Sequence, residues 1–195
     1  VEQNYEQAVE FYEQAAKLGN RVALNSLGDC YFKGHGVYQN YKKAIDYYQE
    51  AYKHGNYDGC VNLGHCYYYG YGVDQDYSKS FEYYQNASNK GNPSGLYYSG
   101  LCYLKGEGVE RNISKALENF ERSANLGNSK ALNSLGDFYS DSQNIYQNYT
   151  KAVHYYELSS NLQNSDADIN LGLCYQYGRG VQQSHSKSIE YFQKA

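Results

Sequence analysis

The stretch that decides the fold is Leu63-Gly64-His65-Cys66-Tyr67-Tyr68-Tyr69-Gly70-Tyr71-Gly72-Val73. Counterparts of its first two residues stand at Leu27-Gly28, Ser99-Gly100, Leu135-Gly136 and Leu171-Gly172, spaced at intervals of 36 residues. Self-similarity at a fixed period of this length is typical of proteins built from stacked structural repeats. One repeated unit therefore accounts for nearly the whole chain.

Composition excludes several classes of protein. The chain of 195 residues is 41% apolar, but it has no apolar run near the ~20 residues that span a membrane. Its formal net charge is -4 and Lys and Arg are not clustered, so we predict no nucleic-acid partner. The 27 Tyr residues, with no Trp, indicate repeated places for a ring with a polar tip. Both ends interrupt the pattern, so we expect a segment of a longer chain.

The cysteines do not form a disulfide framework. Four of the five occupy one repeat position (Cys30, Cys66, Cys102 and Cys174), and Cys60 stands apart. On one helix Cys60 and Cys66 would lie about 9 Å apart along the axis, beyond disulfide reach. We interpret the thiols as small buried apolar groups in a reducing compartment, the cytoplasm. The alternative is the ER lumen, with the thiols left free.

Each repeat is predicted to contain two helices, A and B. The apolar spacing predicts helix A over 22–33, 57–69, 94–105, 130–141 and 166–177, and helix B over 5–18, 41–54, 77–90, 113–126, 149–162 and 185–195. N-cap residue types precede every helix B: Asn4, Asn40, Asp76, Asn112, Asn148 and Ser184. A Gly-Asn pair follows helix B, with Gln163 as the exception. Glycines inside helix A cost about 1 kcal/mol each, which predicts another helix crossing closely there.

A glycine-rich loop joins helix A to helix B. It reads Gly-x-Gly-Val at 34–37, 70–73, 106–109 and 178–181. The glycines permit positive φ, and we expect the Val to pack back onto the helix pair. A phosphate-binding loop would follow a strand, whereas this one follows a helix and recurs, so we reject a nucleotide site.

The combined pattern is A-x-x-x-L-G-x-x-Y, G-x-G-V, then Asn or Asp before K-A-x-x-Y-Y-x-x-A-A. It resembles the Sel-1-like repeats, relatives of tetratricopeptide repeats. The resemblance implies an all-α, right-handed alpha-alpha superhelix (an alpha-solenoid) whose members act as adaptors or scaffolds in protein complexes. We predict one repeat domain over 1–195: a helix B over 1–19, repeats 20–55, 56–91, 92–127 and 128–163, and a truncated repeat 164–195.

The resemblance further implies that helix A lines the concave surface. The positions predicted to contact a partner are Asn25, Asp29, Lys33, Asp58, His65, Tyr68, Tyr69, Tyr97, Leu104, Lys105, Asn133, Asp137, Asp141, Asp166, Gln176 and Tyr177. Val61 is also expected to be exposed there. In the opening stretch, only His65, Tyr68 and Tyr69 are expected to be available to a partner. Aromatic residues in the middle and carboxylates towards the end suit a peptide or helix with apolar anchors and a basic flank.

The fourth repeat departs from the pattern. Ser142 and Asn144 replace loop glycines, Gln163 replaces the closing glycine, and Asp168 stands where other copies have Leu or Cys. One interpretation is relaxed sequence drift. The other is an altered geometry or a contact site around residues 140–146.

Enzymatic chemistry has little support. The His residues fall on different repeat positions, and Cys60, His65 and Cys66 do not have the spacing of a zinc site. We predict no cofactor, no metal and no catalytic residues. The predicted function is a non-enzymatic adaptor or scaffold that binds a protein in its concave groove. The alternative is a structural spacer that contacts its neighbours by edges and stacked ends.

Overall fold

The computed structural model describes residues 4–143 and 145–195, and all regular secondary structure in this part of the chain is helical. The helices are α1 Tyr5–Lys17, α2 Arg21–Lys33, α3 Tyr41–Lys53, α4 Tyr57–Tyr69, α5 Tyr77–Asn89, α6 Pro93–Lys105, α7 Ile113–Asn125, α8 Ser129–Ser140, α9 Tyr149–Asn161, α10 Ser165–Tyr177 and α11 His185–Lys194. The predicted all-α repeat fold is confirmed, and helix limits agree within about a residue. Among the described residues, no helix is long and apolar enough to span a membrane.

Odd-numbered helices are the predicted B helices and even-numbered ones the A helices. Contacts divide the chain into two compact units, Val1–Ile113 and Ser114–Ala195, called unit 1 and unit 2. In unit 1 each helix from α1 to α6 packs on the next, and α4 also contacts α2 and α6. In unit 2 the helices α8 to α11 pack in sequence order. The A helices of unit 1 are therefore neighbours across successive repeats.

Side-chain caps set where the helices begin. Asn40 Oδ1 accepts a hydrogen bond from Lys43 N at 3.0 Å, as predicted for a B-helix N-cap. The Asn that follows the closing glycine caps the next A helix in the same way, since Asn56 Oδ1 accepts from Gly59 N at 3.0 Å. The Gly-Asn pair thus ends one helix and starts the next, a second role that the sequence analysis missed.

The closing turn requires left-handed backbone, which glycine adopts without strain. Gly55 has φ 81°, and its counterpart Gln163 keeps this geometry with φ 60°. Gln163 is the one non-glycine residue with positive φ among the described residues. The predicted left-handed turn is therefore retained in the fourth repeat without a glycine.

The glycines inside helix A lie against aromatic rings. A Cβ added at Gly28 would overlap the ring of Tyr48, and one at Gly136 would overlap the ring of Tyr156. The prediction that another helix packs too closely for a side chain at these glycines is confirmed, and the group in contact is a ring from the next helix. Tyr48 and Tyr156 are each only 2% exposed. The small residue in helix A makes room for a large ring from helix B.

The loops after helix A close onto the core where the glycine motif is intact. Val37, Val73, Val109 and Val181 each pack against a buried cluster, as predicted. In the fourth repeat α8 ends at Ser140, and its C-cap Asp141 is extended (φ -65°, ψ 118°), whereas the C-caps of α2, α4, α6 and α10 are left-handed glycines. Ser142 is exposed, while Asn144 lies outside the described residues.

Asp168 forms hydrogen bonds at a repeat position that is Leu or Cys in the other copies. It is buried, with its Oδ1 2.9 Å from Lys194 Nζ, and it also accepts a hydrogen bond from Ser160 Oγ. A buried carboxylate is tolerated when it is paired and hydrogen-bonded. The five cysteines are free and buried, as predicted.

Candidate functional site

An open groove runs along the A helices α2, α4 and α6 of unit 1. Its volume is about 660 Å³. Six predicted partner-binding residues line it: Asn25, Asp29, Lys33, Asp58, His65 and Tyr69. The other lining residues are Phe32, Tyr48, Val61, Asn62, Tyr71, Ser94 and Tyr98. We call this feature the A-helix groove.

A polar cluster forms part of the groove wall. Tyr48 Oη donates to Asp29 Oδ1 at 2.8 Å, while Asn62 Nδ2 lies 3.1 Å from Asn25 Oδ1 and 3.3 Å from Asp29 Oδ1. Loss of solvation raises the pKa of Asp29, although the hydrogen bond from Tyr48 opposes this shift. The charge of Lys33 also opposes the rise in this pKa, whereas the charge of Asp58 adds to it.

The next repeat replaces this polar cluster with aromatic rings. His65 stands at the position of Asp29, and its Nδ1 is hydrogen-bonded to Tyr84 Oη at 2.8 Å. The Tyr98 ring meets His65 edge to face, with centroids 4.4 Å apart. His65 is partly buried, so it has internal contacts beyond the surface role predicted for it.

An aromatic strip continues from the groove onto the adjoining loop. We define it as Phe32, Tyr41, Tyr69 and Tyr71. Phe32 contacts Tyr41 and Tyr71 edge to face at 5.1 and 5.2 Å between centroids, and Tyr71 lies 5.5 Å from Tyr69. Tyr69 remains 58% exposed. The strip therefore presents several ring faces and edges to solvent.

Tyr68 is held by a charged pair at the edge of the groove. Its hydroxyl donates to Glu107 Oε2 at 2.8 Å and accepts from Lys105 Nζ at 3.3 Å. Lys105 also lies 3.7 Å from Glu107. Tyr68 is thus already hydrogen-bonded within the protein, which leaves Tyr69 as the most accessible ring of the three predicted in the opening stretch.

Unit 2 contains a polar cluster of the same design. Tyr156 Oη donates to Asp137 Oδ1 at 2.9 Å, and Asn170 Nδ2 contacts both Asn133 Oδ1 and Asp137 Oδ1 at 3.1 Å. The remaining predicted residues of this unit lie on α10 or at the end of α8. Asp141, Asp166 and Tyr177 are exposed, and Gln176 is partly exposed.

Some sequence-based assignments need revision. Val61, expected at the surface, is 4% exposed and belongs to a core cluster. Tyr97 and Leu104 are partly exposed but are not among the residues that line the A-helix groove. Asn62, Tyr71 and Tyr98 line it and were missed. The available signal was the Asn-Ser-Leu-Gly-Asp string shared by 25–29 and 133–137, which marks the polar clusters.

The chemistry of the groove is that of recognition by hydrogen bonds, charge and ring contacts. Within the described residues, no group of three or more His, Cys, Asp or Glu side chains could hold a metal ion. Desolvation raises the pKa of the thiols of Cys60, Cys66 and Cys102 to about 12. Buried thiols with raised pKa are poor nucleophiles, because the thiolate is the reactive form.

These features define a helical-hairpin repeat protein with an open groove along its A helices. The family model described as Sel1 repeat matches residues 1–20, 21–56, 58–92, 93–128, 129–164 and 165–195. The chain belongs to the Sel1 repeat family. Its members are generally protein–protein interaction modules and typically non-enzymatic scaffolds.

Solved structures agree with this assignment. A Sel1 repeat protein from Oxalobacter formigenes is 26% identical, with a TM-score of 0.88 over 99% of this chain and 79% of that one. The protective antigen c5321 of uropathogenic Escherichia coli is 30% identical, with a TM-score of 0.79 over 97% of this chain and 41% of that one. This chain thus spans less than half the length of c5321. The immunity protein Pa5087 from Pseudomonas aeruginosa shares the fold at 21% identity, with a TM-score of 0.77 over 100% of this chain and 74% of that one. A search of curated proteins found no match.

Proposed function

We propose that this protein is a non-enzymatic adaptor or scaffold that binds a segment of a partner protein in the A-helix groove of unit 1. The observation that carries the proposal is the groove itself, about 660 Å³ in volume and lined by rings on three successive A helices and by carboxylates on two of them. Its volume falls within the ~300–1,000 Å³ typical of ligand sites. The binding role of the family supports the same assignment.

The composition of the groove favours a peptide or helix that carries apolar anchors and a basic residue. Tyr69 provides a large exposed ring, and such rings are enriched among residues that dominate binding energy. Asp29 and Asp58 provide negative charge, against one cation at Lys33. Asp137, Asp141 and Asp166 of unit 2 are not among the residues that line this groove, so the proposal assigns partner binding to unit 1 alone.

Capture of partners by the intact protein tests this proposal. The groove variant carries Tyr69→Ala and Asp58→Asn, and the matched control carries Tyr177→Ala and Asp166→Asn at the same repeat positions in unit 2. Tyr69 and Tyr177 are 58% and 59% exposed, so either change removes a similar surface ring. We expect the groove variant to lose partners that the control retains, with unchanged helicity by circular dichroism.

The alternative is the structural spacer. If both variants capture the same partners as the parent protein, the groove is not the binding surface and the adaptor proposal fails in this form. Substitutions at the edges and stacked ends would then identify the contacts of a spacer.

A cytoplasmic location remains part of the proposal. The five free, buried cysteines support a reducing compartment, with the ER lumen as the alternative. Fluorescence microscopy of the tagged, full-length protein would distinguish the two compartments.

A further inference from the structure

We infer that the A-helix groove of unit 1 binds an extended, proline-containing segment that carries an Arg or Lys. The prolines lie on the aromatic strip and the cation lies between Asp29 and Asp58. This inference rests on the proposed function, because it names the chemistry of the partner in the same groove. The inferred partner is an extended segment with prolines and one basic residue, and not a helix that binds through an apolar face.

The geometry of the aromatic strip suits the prolines. Phe32 and Tyr71 meet nearly at right angles, with an interplanar angle of 85°, whereas Tyr41 and Tyr71 stack at 28°. Phe32, Tyr41 and Tyr71 already contact one another at 5.1 to 5.2 Å between centroids, so a pyrrolidine ring would lie on the outward side of the strip, beside the exposed Tyr69. Proline-rich segments dock in aromatic-lined grooves because their polyproline II helix is already formed and loses little entropy on binding.

The polar wall of the groove disfavours an amphipathic helix. Such a helix would place its apolar face against Asn25, Asp29 and Asn62, and polar groups buried without new partners cost free energy. Val61 is the one aliphatic side chain among the described lining residues, and it is already buried. A polyproline II segment has no internal hydrogen bonds, so its carbonyl groups can accept from a donor in the groove such as the Lys33 ammonium group.

The two carboxylates explain the basic residue. Asp29 and Asp58 line the same groove as Lys33, so two carboxylates face one lysine there. The charge of Asp58 contributes to the raised pKa of Asp29, and that of Lys33 opposes it. Tyr48 and Asn62 both contact Oδ1 of Asp29, and Asp58 Oδ1 accepts from Asn92 Nδ2 at 2.8 Å. These contacts hold the carboxylates in place. A guanidinium group between them would relieve their repulsion and form charge-assisted hydrogen bonds.

Unit 2 offers a natural comparison for this inference. It has Asp137, Asp166 and Tyr177 at the positions of Asp29, Asp58 and Tyr69. However, Ser140 replaces Phe32 and Arg179 replaces Tyr71, and the guanidinium of Arg179 lies 5.3 Å from the Tyr177 ring centroid. Unit 2 therefore has the carboxylates but lacks the aromatic strip. The Arg179 guanidinium already lies over the ring of Tyr177, the counterpart of Tyr69.

The experiment titrates three synthetic ten-residue peptides into the intact protein by calorimetry. The first contains prolines and one Arg, the second has Glu in place of that Arg, and the third is an amphipathic helix with Leu anchors and one Arg. We expect the first peptide to bind most tightly. Tyr69→Ala and Asp58→Asn should each weaken its binding about tenfold, as expected for central contacts. Tyr177→Ala and Asp166→Asn should leave it unchanged, and added salt should weaken it.

Several results would overturn the inference. Equal binding of the Arg and Glu peptides would refute the cation site, and tighter binding of the helical peptide would refute the extended conformation. Equal losses in the unit 2 variants would refute the assignment to the aromatic strip. If no peptide binds while Tyr69→Ala still abolishes partner capture, the inference fails and the proposed function stands.

Discussion

Units 1 and 2 each contain a polar cluster of the same design, but the residues around the cluster differ between the two units. Asp29 with Tyr48 and Asn62 in unit 1 is reproduced by Asp137 with Tyr156 and Asn170 in unit 2, with corresponding hydrogen bonds of 2.8 to 3.3 Å. The surroundings are aromatic in unit 1 and mostly polar or charged in unit 2. A cluster present in both units has a structural role in each, whereas the aromatic strip is present in one. Specific recognition is therefore expected to require the strip, because the carboxylate of the cluster is present in both units.

The largest effect should come from removing the ring at the centre of each polar cluster. Tyr48→Ala and Tyr156→Ala should each lower the free energy of unfolding by about 3–5 kcal/mol, because a fully buried ring leaves a cavity. Chemical denaturation followed by circular dichroism measures the loss. Tyr38→Ala is the control, since Tyr38 is exposed. A tolerated change at either buried tyrosine would show that the two clusters are not equivalent.

A smaller loss is expected when the space for that ring is filled. Gly28→Ala and Gly136→Ala place a methyl group against the rings of Tyr48 and Tyr156. Overpacking costs about 1–3 kcal/mol, which exceeds the ~1 kcal/mol gained in helix propensity. In a double-mutant cycle Gly28→Ala should become less costly when combined with Tyr48→Leu. Additive losses would contradict the ring contact as the cause.

The residues of the closing turns can be exchanged between the two units, with Gln placed in the turn of unit 1 and Gly in the turn of unit 2. Gly55→Gln should lower stability by about 1 kcal/mol because a side chain at positive φ is strained, and Gln163→Gly should raise it by a similar or smaller amount. Thermal unfolding of both variants measures this exchange. If Gln163→Gly destabilises the protein, Gln163 makes a favourable contact that outweighs its backbone strain.

The smallest effect concerns pH. Burial raises the pKa of Asp29 and of Asp137 in the folded protein, so the folded state binds these protons more tightly than the unfolded chain. The resulting stability is present below the pKa of an unfolded Asp and is lost as pH rises through the folded pKa. Asp29→Asn and Asp137→Asn should therefore be more stable than the parent at pH 7 and equal to it near pH 3. Unfolding curves at both pH values test the sign.

The fold was largely predictable from the chain, and the site only in part. The B-helix caps and the closing turns predicted the helix limits because residues such as Asn40 and Gly55 act through local backbone contacts. Asn62 was missed because its partners Asn25 and Asp29 lie more than 30 residues away and come close only through stacking of repeats. Val61 shows the converse error, since the concave face implied by the family resemblance placed a core residue on the surface.

By itself the sequence determined the repeat, its two helices and the positions where chain direction changes, because these depend on spacing and on cap and turn residues. Tertiary structure decided which tyrosines are core and which are surface. Tyr84 is 2% exposed and Tyr69 is 58% exposed, although both end short runs of tyrosine in one repeat. The physical reason is that burial depends on the helix packed opposite each ring, and that neighbour belongs to a different part of the chain.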